Sequence, residues 1–111
     1  MFKGCSKLEW LDLSNFDTHN VENMVEMFSN CSSLEELNIS RFNTERLQYT
    51  QDMFYGCSSL TKLDLGSFNT SKVLFMQNMF MGCTNLRDVN VSSFDTSNVE
   101  SITVCLLVVQ A

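Results

Sequence analysis

The sequence predicts an α/β solenoid in which each repeat supplies one short parallel strand and a short helical segment. Three observations predict this fold class. The 111 residues carry a repeat of 26 residues, and the first half of each repeat alternates apolar and polar residues as a half-buried strand does. The second half spaces its apolar residues as an amphipathic helix does.

The repeat occurs four times with no insertion or deletion between copies. Identical residues recur in fixed columns: Met1, Met27, Met53 and Met79; Cys5, Cys31, Cys57 and Cys83; Phe16, Phe42, Phe68 and Phe94; Thr18, Thr44, Thr70 and Thr96. A period of roughly 20 to 50 residues is typical of solenoids, whose units must share one core. We therefore divide the domain 1–103 into these four repeats: 1–26, 27–52, 53–78 and 79–103.

The strand of each repeat is predicted by the pattern Leu-x-x-Leu-x-Leu. The apolar positions are Leu8, Leu11 and Leu13; Leu34, Leu37 and Ile39; Leu60, Leu63 and Leu65; Leu86, Val89 and Val91. Alternation at the last two positions indicates a strand with one buried face. Strands that recur once per repeat in the same direction are parallel, and the rest of the repeat is the crossover.

A Phe-Asp/Asn-Thr corner follows each strand, as in Phe42-Asn43-Thr44. The Asp or Asn suits a side chain that hydrogen-bonds its own backbone in a turn. We expect the Phe column to point inward, because burying each ring contributes roughly 1.5–3 kcal/mol. We expect the Thr column to point inward as well, with each hydroxyl bonded to a backbone group, since a buried hydroxyl needs a partner.

The second half of each repeat is predicted to be helical. Val21, Met24, Phe28 and Cys31 lie at i, i+3, i+7 and i+10, which is the spacing of one helix face. In repeat 4, the Ser-x-x-Glu pattern at 97–100 resembles a capping box at a helix start.

Beyond Thr103 the pattern degrades. Residues 104–111 begin with the apolar run Val104–Val109, which is far shorter than the ~20 residues needed to span a membrane. We interpret 104–111 as a degenerate apolar turn or a truncated next repeat, and the chain as a fragment of a longer protein. Because uncovered edges pair with other chains, end-to-end self-association is a further expectation.

The charge and the cysteines disfavour several functions. A net charge of −6 and a pI near 4.5 argue against binding to nucleic acid or to an anionic membrane surface. Four of the five cysteines share one column and form no CxxC pair. We interpret them as buried thiols, with a disulfide or a metal as lesser alternatives. Cys105 lies outside the column and is the better candidate for a reactive thiol.

The repeat resembles the BspA-like class of leucine-rich repeats, the bacterial surface protein 26-residue repeat. Residues 53–78, MFYGCSSLTKLDLGSFNTSKVLFMQN, match its pattern best, and the resemblance extends from Met1 to about Thr103. The resemblance implies a right-handed leucine-rich-repeat coil with its strands on the concave side and short helices on the convex side. It also implies a cell-surface or secreted protein that adheres to host or neighbouring-cell proteins. The chain has fewer repeats than many relatives and no recognisable signal peptide or anchor.

No constellation of residues predicts an enzyme. His19 is the single histidine and lies in a turn, with no recognisable nucleophile or orienting acid beside it. The sequence contains no GxSxG, P-loop, HExxH or GxGxxG motif. We therefore predict a non-enzymatic protein that has no cofactor and no metal site.

The outward positions of the strands form the predicted binding surface on the concave face. They make two columns: Trp10, Glu36, Lys62 and Asp88; Asp12, Asn38, Asp64 and Asn90. A strand spacing of ~4.8 Å puts the two carboxylates of the second column about 10 Å apart, too far to share a metal ion. That column is either a solvated, hydrogen-bonded ladder or a contact row for a partner. Trp10 either anchors a partner or folds over the open first repeat.

The outward columns predict a non-enzymatic protein-binding module that binds through its concave face, and the resemblance implies that it is part of a bacterial surface adhesin whose partners are host or other proteins. The alternative is a structural spacer or assembly segment of a longer surface protein, with no ligand of its own. We expect no nucleic-acid partner and no membrane span, and a location at the cell surface or outside the cell.

Overall fold

Each repeat contributes one three-residue strand to the computed structural model, which describes residues 2–100. The strands are β1 (Trp10–Asp12), β2 (Glu36–Asn38), β3 (Lys62–Asp64) and β4 (Asp88–Asn90). β1 pairs with β2, and β3 pairs with β4, both in parallel and in the register of the repeat. The predicted direction of the strands is therefore confirmed for these two pairs.

The predicted single sheet is wrong, because the strands form two separate two-stranded sheets. Repeats 2 and 3 are joined elsewhere. Tyr49 forms parallel bridges to both Asn23 and Phe75, so backbone pairing connects the second halves of repeats 1 to 3. The joint between β2 and β3 thus depends on the second halves of the repeats rather than on strand pairing.

The predicted helices are also wrong, because residues 2–100 contain no helix. An α-helix needs each backbone N–H to bond the carbonyl four residues earlier. Here the N–H of Phe28 donates instead to Met53 O at 2.9 Å, in the next repeat. The neighbouring N–H groups of Met27 and Ser29 close tight turns onto carbonyls three residues earlier. Successive amides therefore donate alternately to a carbonyl of the same turn and to a carbonyl of the next repeat. None of these three bonds is the bond to the carbonyl four residues earlier that a helix requires.

Left-handed backbone conformations explain why a helix cannot form there. Glu26 and Asn30 have φ of 58° and 60°, and the same columns repeat this in Asp52, Asn78, Gly56 and Gly82. Left-handed residues do not fit a right-handed helix, and Gly and Asn adopt them most readily. In the described residues, two left-handed residues in each of repeats 1 to 3, and Gly82 in repeat 4, divide the segment into turns. The prediction of an α/β leucine-rich-repeat solenoid with convex helices is accordingly wrong, including the helix start at 97–100.

The core consists of columns that stack from one repeat to the next. The rings of Phe2, Phe28, Phe54 and Phe80 form one continuous stack, with successive centroids 5.7, 5.6 and 5.8 Å apart. The corner column is buried only in the middle of the stack. Phe42 and Phe68 are each 2% exposed, whereas Phe16 is 46% exposed, so the inward prediction fails in the first repeat.

The threonine column behaves as predicted in the first three repeats. The Thr44 hydroxyl donates to Asn69 O at 3.1 Å and accepts from Asn69 N at 2.7 Å. Thr18 and Thr70 make the same pair of bonds to the following repeat. Each hydroxyl therefore ties two repeats together where a buried polar group would otherwise be unpaired.

The cysteine column packs as thiols in the described part of the chain. Cys31, Cys57 and Cys83 are buried, Cys5 is half-buried, and all four are free. Each buried thiol donates to a Phe carbonyl of the preceding repeat at 3.0–3.1 Å. Cys105 and the apolar segment 104–111 lie outside the described residues. Within 2–100, no helix is long and apolar enough to cross a membrane.

Candidate protein-binding face

The strand face is defined by the eight outward residues of the four strands. Its members are Trp10, Asp12, Glu36, Asn38, Lys62, Asp64, Asp88 and Asn90, and all of them are exposed. Strand pairing places Trp10 beside Glu36 and Asp12 beside Asn38 in one sheet. The other sheet pairs Lys62 with Asp88 and Asp64 with Asn90. The structure thus brings the predicted site residues together as two groups of four.

The Asp/Asn column is fixed by turns within each repeat. Each side-chain oxygen accepts a hydrogen bond from the backbone N–H two residues later, at 2.8–3.1 Å. The donors are Ser14, Ser40, Gly66 and Ser92. Asp and Asn suit this turn because a short side chain reaches its own backbone. The ladder predicted from sequence is therefore mainly a series of local turns.

One contact within this column crosses between repeats. Asn90 Nδ2 donates to Asp64 Oδ1 at 3.3 Å. Gly66 makes room for it, because a Cβ at that position would lie 2.8 Å from Asn90 Nδ2 and 3.0 Å from Asp64 Oδ1. Sequence reasoning missed this role, although Gly66 is the single glycine in a column that otherwise holds serine.

The strand face is acidic. It carries Asp12, Glu36, Asp64 and Asp88 against a single base, Lys62. Hydrogen bonds from the Ser14 backbone N–H and then its hydroxyl hold the pKa of Asp12 below its ordinary value. The turn that positions this carboxylate therefore also favours its charged form.

Trp10 is the most exposed large apolar side chain of the strand face, at 68%. The alternative that it folds over the open first repeat is not supported, because such a position would bury the ring. A cavity of about 320 Å³ beside it runs along the first sheet, lined by Trp10, Leu11, Asp12, Glu36, Leu37 and Asn38. The indole is therefore available as an anchor next to acidic side chains.

The single histidine has a partner that sequence reasoning overlooked. His19 Nδ1 and Asp17 Oδ1 lie 2.5 Å apart, and both side chains are exposed. The hydrogen bonds from His19 lower the pKa of Asp17. Within the described range, no group of three or more His, Cys, Asp or Glu residues converges as a metal site would.

These features define a class of repeat protein with a buried, column-built core and one exposed acidic face. Residues 1–109 match the family model described as "Mycoplasma protein of unknown function, DUF285", and the chain belongs to that family. Neither a curated protein nor a solved structure shows a significant match. The resemblance to BspA-like leucine-rich repeats is thereby corrected.

Proposed function

We propose that this protein is a non-enzymatic protein-binding module that uses the strand face. The exposure of Trp10 beside a row of carboxylates is the observation that carries the proposal. An exposed aromatic side chain surrounded by polar groups is typical of an interface anchor. The strands leave these side chains outward while the residues between them, such as Leu63, face the core.

The charge of the face selects the chemistry of the partner. Four carboxylates and one ammonium group favour a segment rich in Lys or Arg. A cation from such a segment can also lie over the Trp10 indole, which contributes about 0.5–1 kcal/mol at an exposed site. The 320 Å³ cavity lined by Trp10, Leu11 and Glu36 is where the aliphatic stem of a long basic side chain would lie.

Preorganisation supports the proposal. The Asp12 and Asp64 carboxylates are already held by backbone N–H groups in the free protein. Binding to them therefore orders fewer rotamers than binding to free surface carboxylates would. The adhesin role and the location at the cell surface or outside the cell stay predictions, since the family's description names no activity.

Surface plasmon resonance with an Arg-rich peptide and with host extracellular-matrix proteins tests the proposal. We expect Trp10→Ala and Asp64→Asn to weaken binding several-fold. Glu45→Gln is the matched control, because it removes one exposed carboxylate away from the strand face and should leave affinity unchanged. Equal affinity for wild type, Trp10→Ala and Asp64→Asn would reject the strand face as the binding surface.

A second candidate function is a structural spacer or assembly segment. It is favoured by the exposure of the apolar Phe16 ring in the first repeat. The residues of the same column in the next two repeats, Phe42 and Phe68, are buried. This function predicts indifference to substitutions on the strand face. It also requires a defined contact at the ends of the stack.

A further inference from the structure

We propose that a cavity in the turn segments of repeats 1 to 3 binds one residue of a neutral saccharide. The cavity has a volume of about 240 Å³ and is lined by Lys3, Glu26, Ser29, Asn30, Asp52 and Tyr55. None of these residues belongs to the strand face, so the inference is independent of the function proposed above. The lining residues come from three successive repeats, and the stacking of the repeats therefore forms the cavity.

A buried hydroxyl without a partner lines this cavity. Ser29 is 2% exposed, and within residues 2–100 its hydroxyl forms no hydrogen bond. Other hydroxyls that are as deeply buried, such as those of Thr44 and Thr70, each bond the backbone of the next repeat. Leaving a buried polar group unpaired costs free energy. A ligand hydroxyl in the cavity supplies the missing partner.

Tyr55 places an aromatic ring at the same cavity. Its side chain is 38% exposed, whereas the preceding residue, Phe54, is fully buried in the core stack. The Tyr55 carbonyl accepts the Asn30 N–H at 2.6 Å, and the Tyr55 N–H donates to Asp52 O at 3.2 Å, so its backbone is fixed. The C–H groups of a sugar ring pack on an aromatic face, and the phenol hydroxyl stays available for a hydrogen bond.

Three of the lining residues have a strained backbone. Glu26, Asn30 and Asp52 have φ of 58°, 60° and 59°, and Asn78 is the only other non-glycine residue of the described chain with a left-handed φ. Glycine adopts this conformation without steric cost, so the turns themselves do not require these side chains. Within residues 2–100, the Asp52 carboxylate forms no hydrogen bond or ion pair that would explain its presence. Strained non-glycine residues concentrate at ligand sites.

The mixture of charged and polar groups selects the class of ligand. Lys3 Nζ and Glu26 Oε2 form an ion pair at 2.8 Å, and both residues line the cavity. A metal ion at Glu26 displaces Lys3 from this pair, and a phosphate ion is repelled by the carboxylates of Glu26 and Asp52. A neutral saccharide avoids both costs, because its hydroxyls donate to the carboxylates and accept from the ammonium group and the Asn30 amide.

Gly56 and the size of the cavity determine how the ligand is held. A Cβ at Gly56 would overlap Asn30 Oδ1, so the glycine gives the amide its place at the cavity. Pockets that enclose drug-sized ligands measure roughly 300–1,000 Å³, and this cavity is smaller. A single saccharide residue therefore fits, and the small contact predicts a dissociation constant in the millimolar range.

An NMR titration of the full chain with glucose, galactose, mannose and N-acetylglucosamine tests the inference. We expect at least one of these sugars to shift the amide signals of Asn30, Asp52 and Tyr55 and to saturate in the millimolar range. The amide signal of Trp10, on the strand face, should not move. Calcium chloride and sodium phosphate, added separately, should leave the cavity signals unchanged. No shift with any of the four sugars, or a saturating shift with calcium or phosphate alone, would overturn the inference.

Variants at the left-handed positions separate binding from folding. Asp52→Gly and its matched control, Asn78→Gly, both place glycine where φ is left-handed, so neither should lower the midpoint of thermal unfolding. Asp52→Gly alone should weaken sugar binding several-fold, because Asn78 does not line the cavity. Equal affinity in the two variants would contradict the proposed site.

The ring and the unpaired hydroxyl are tested in the same way. Tyr55→Ala should weaken binding several-fold. Met81→Ala, the control at the next position of that column, should not, since Met81 is 40% exposed and does not line the cavity. Ser29→Ala should weaken binding without lowering the unfolding midpoint, because no hydrogen bond within residues 2–100 is lost. A lower midpoint with unchanged affinity would show that the hydroxyl supports the fold and would overturn its assignment to a ligand.

Discussion

The middle repeats and the first repeat have the same residues in the same columns, yet their side chains have different environments. Phe42 and Phe68 are buried, but Phe16 is half exposed. Cys57 is buried and bonded to Phe28 O, but Cys5 is half-buried. The difference teaches that a repeat does not bury its own core. Neighbours on both sides supply the burial, as expected for a stack of units that each lack a complete core.

The largest effect is expected in the phenylalanine stack, where a ring in the middle can be compared with a ring of the first repeat. Phe54 is fully buried between the rings of Phe28 and Phe80, and Phe54→Ala should lower the free energy of unfolding by about 3–5 kcal/mol. Phe2→Ala should lower it less, because only Phe28 stacks on Phe2 among the described rings. Urea unfolding followed by circular dichroism measures both. Equal losses would show that position in the stack does not matter.

The threonine column gives the next effect. Thr44→Val keeps the volume of the side chain but leaves the N–H and C=O of Asn69 without the bonds that Thr44 provides. We expect a loss of about 1–3 kcal/mol in the free energy of unfolding. Thr96→Val, at an exposed member of the column, should change it by no more than about 0.5 kcal/mol in dilute solution. A comparable loss in both variants would count against bonding between repeats as the cause.

The buried thiols predict a pH dependence. Burial raises the pKa of Cys83 from 9.0 to about 11, and it raises the pKa of Cys57 as well. The folded state therefore holds these protons at pH values where the unfolded state has lost them. The free energy of unfolding should be unaffected by these thiols below pH 9 and should fall as the pH rises from 9 towards 11.

Urea unfolding at several pH values measures this slope, and Cys83→Ala is the control, because it removes one contributing thiol. The variant should be less stable at neutral pH and lose less stability on raising the pH. An identical slope in the variant would show that Cys83 is not responsible.

The smallest expected effect tests whether a residue of the strand face can be changed without a loss of stability in the core. Asn38 and Asn90 make the same turn as Asp12 and Asp64, so an amide can replace the carboxylate there. Asp12→Asn should leave the thermal unfolding midpoint unchanged in circular dichroism while weakening binding to an Arg-rich peptide. A clear drop in the midpoint would mean that the carboxylate supports the fold and not only the face.

The sequence predicts the columns better than it predicts the backbone between them. Identical residues 26 apart indicate which side chains stack, and the threonine bonds and the parallel strand pairs follow from that. The predicted helices are wrong, because the apolar spacing of Met24 and Phe28 suits successive tight turns as well as a helix face. The deciding signal is the left-handed residue in the Gly/Asn column, at Asn30 and Gly56, which excludes a continuous helix.

The strand face is likewise predicted only in part by the sequence. Alternation along the strands correctly predicts that the eight residues of the strand face are exposed. It does not predict that the Asp/Asn side chains turn back to their own backbone, since that depends on the conformation after each strand. Nor does it predict two sheets in place of one, because the same apolar strand pattern recurs in all four repeats.

The measurement closest to the central claim is a through-hydrogen-bond scalar coupling by NMR in the turn segment. If amides bond to the next repeat, the Phe28 N–H will show a coupling to the Met53 carbonyl carbon, and the Phe54 N–H will show one to the Met79 carbonyl carbon. Couplings from these amides to the carbonyls four residues earlier, Met24 and Thr50, would instead show a helix and contradict the stack described above.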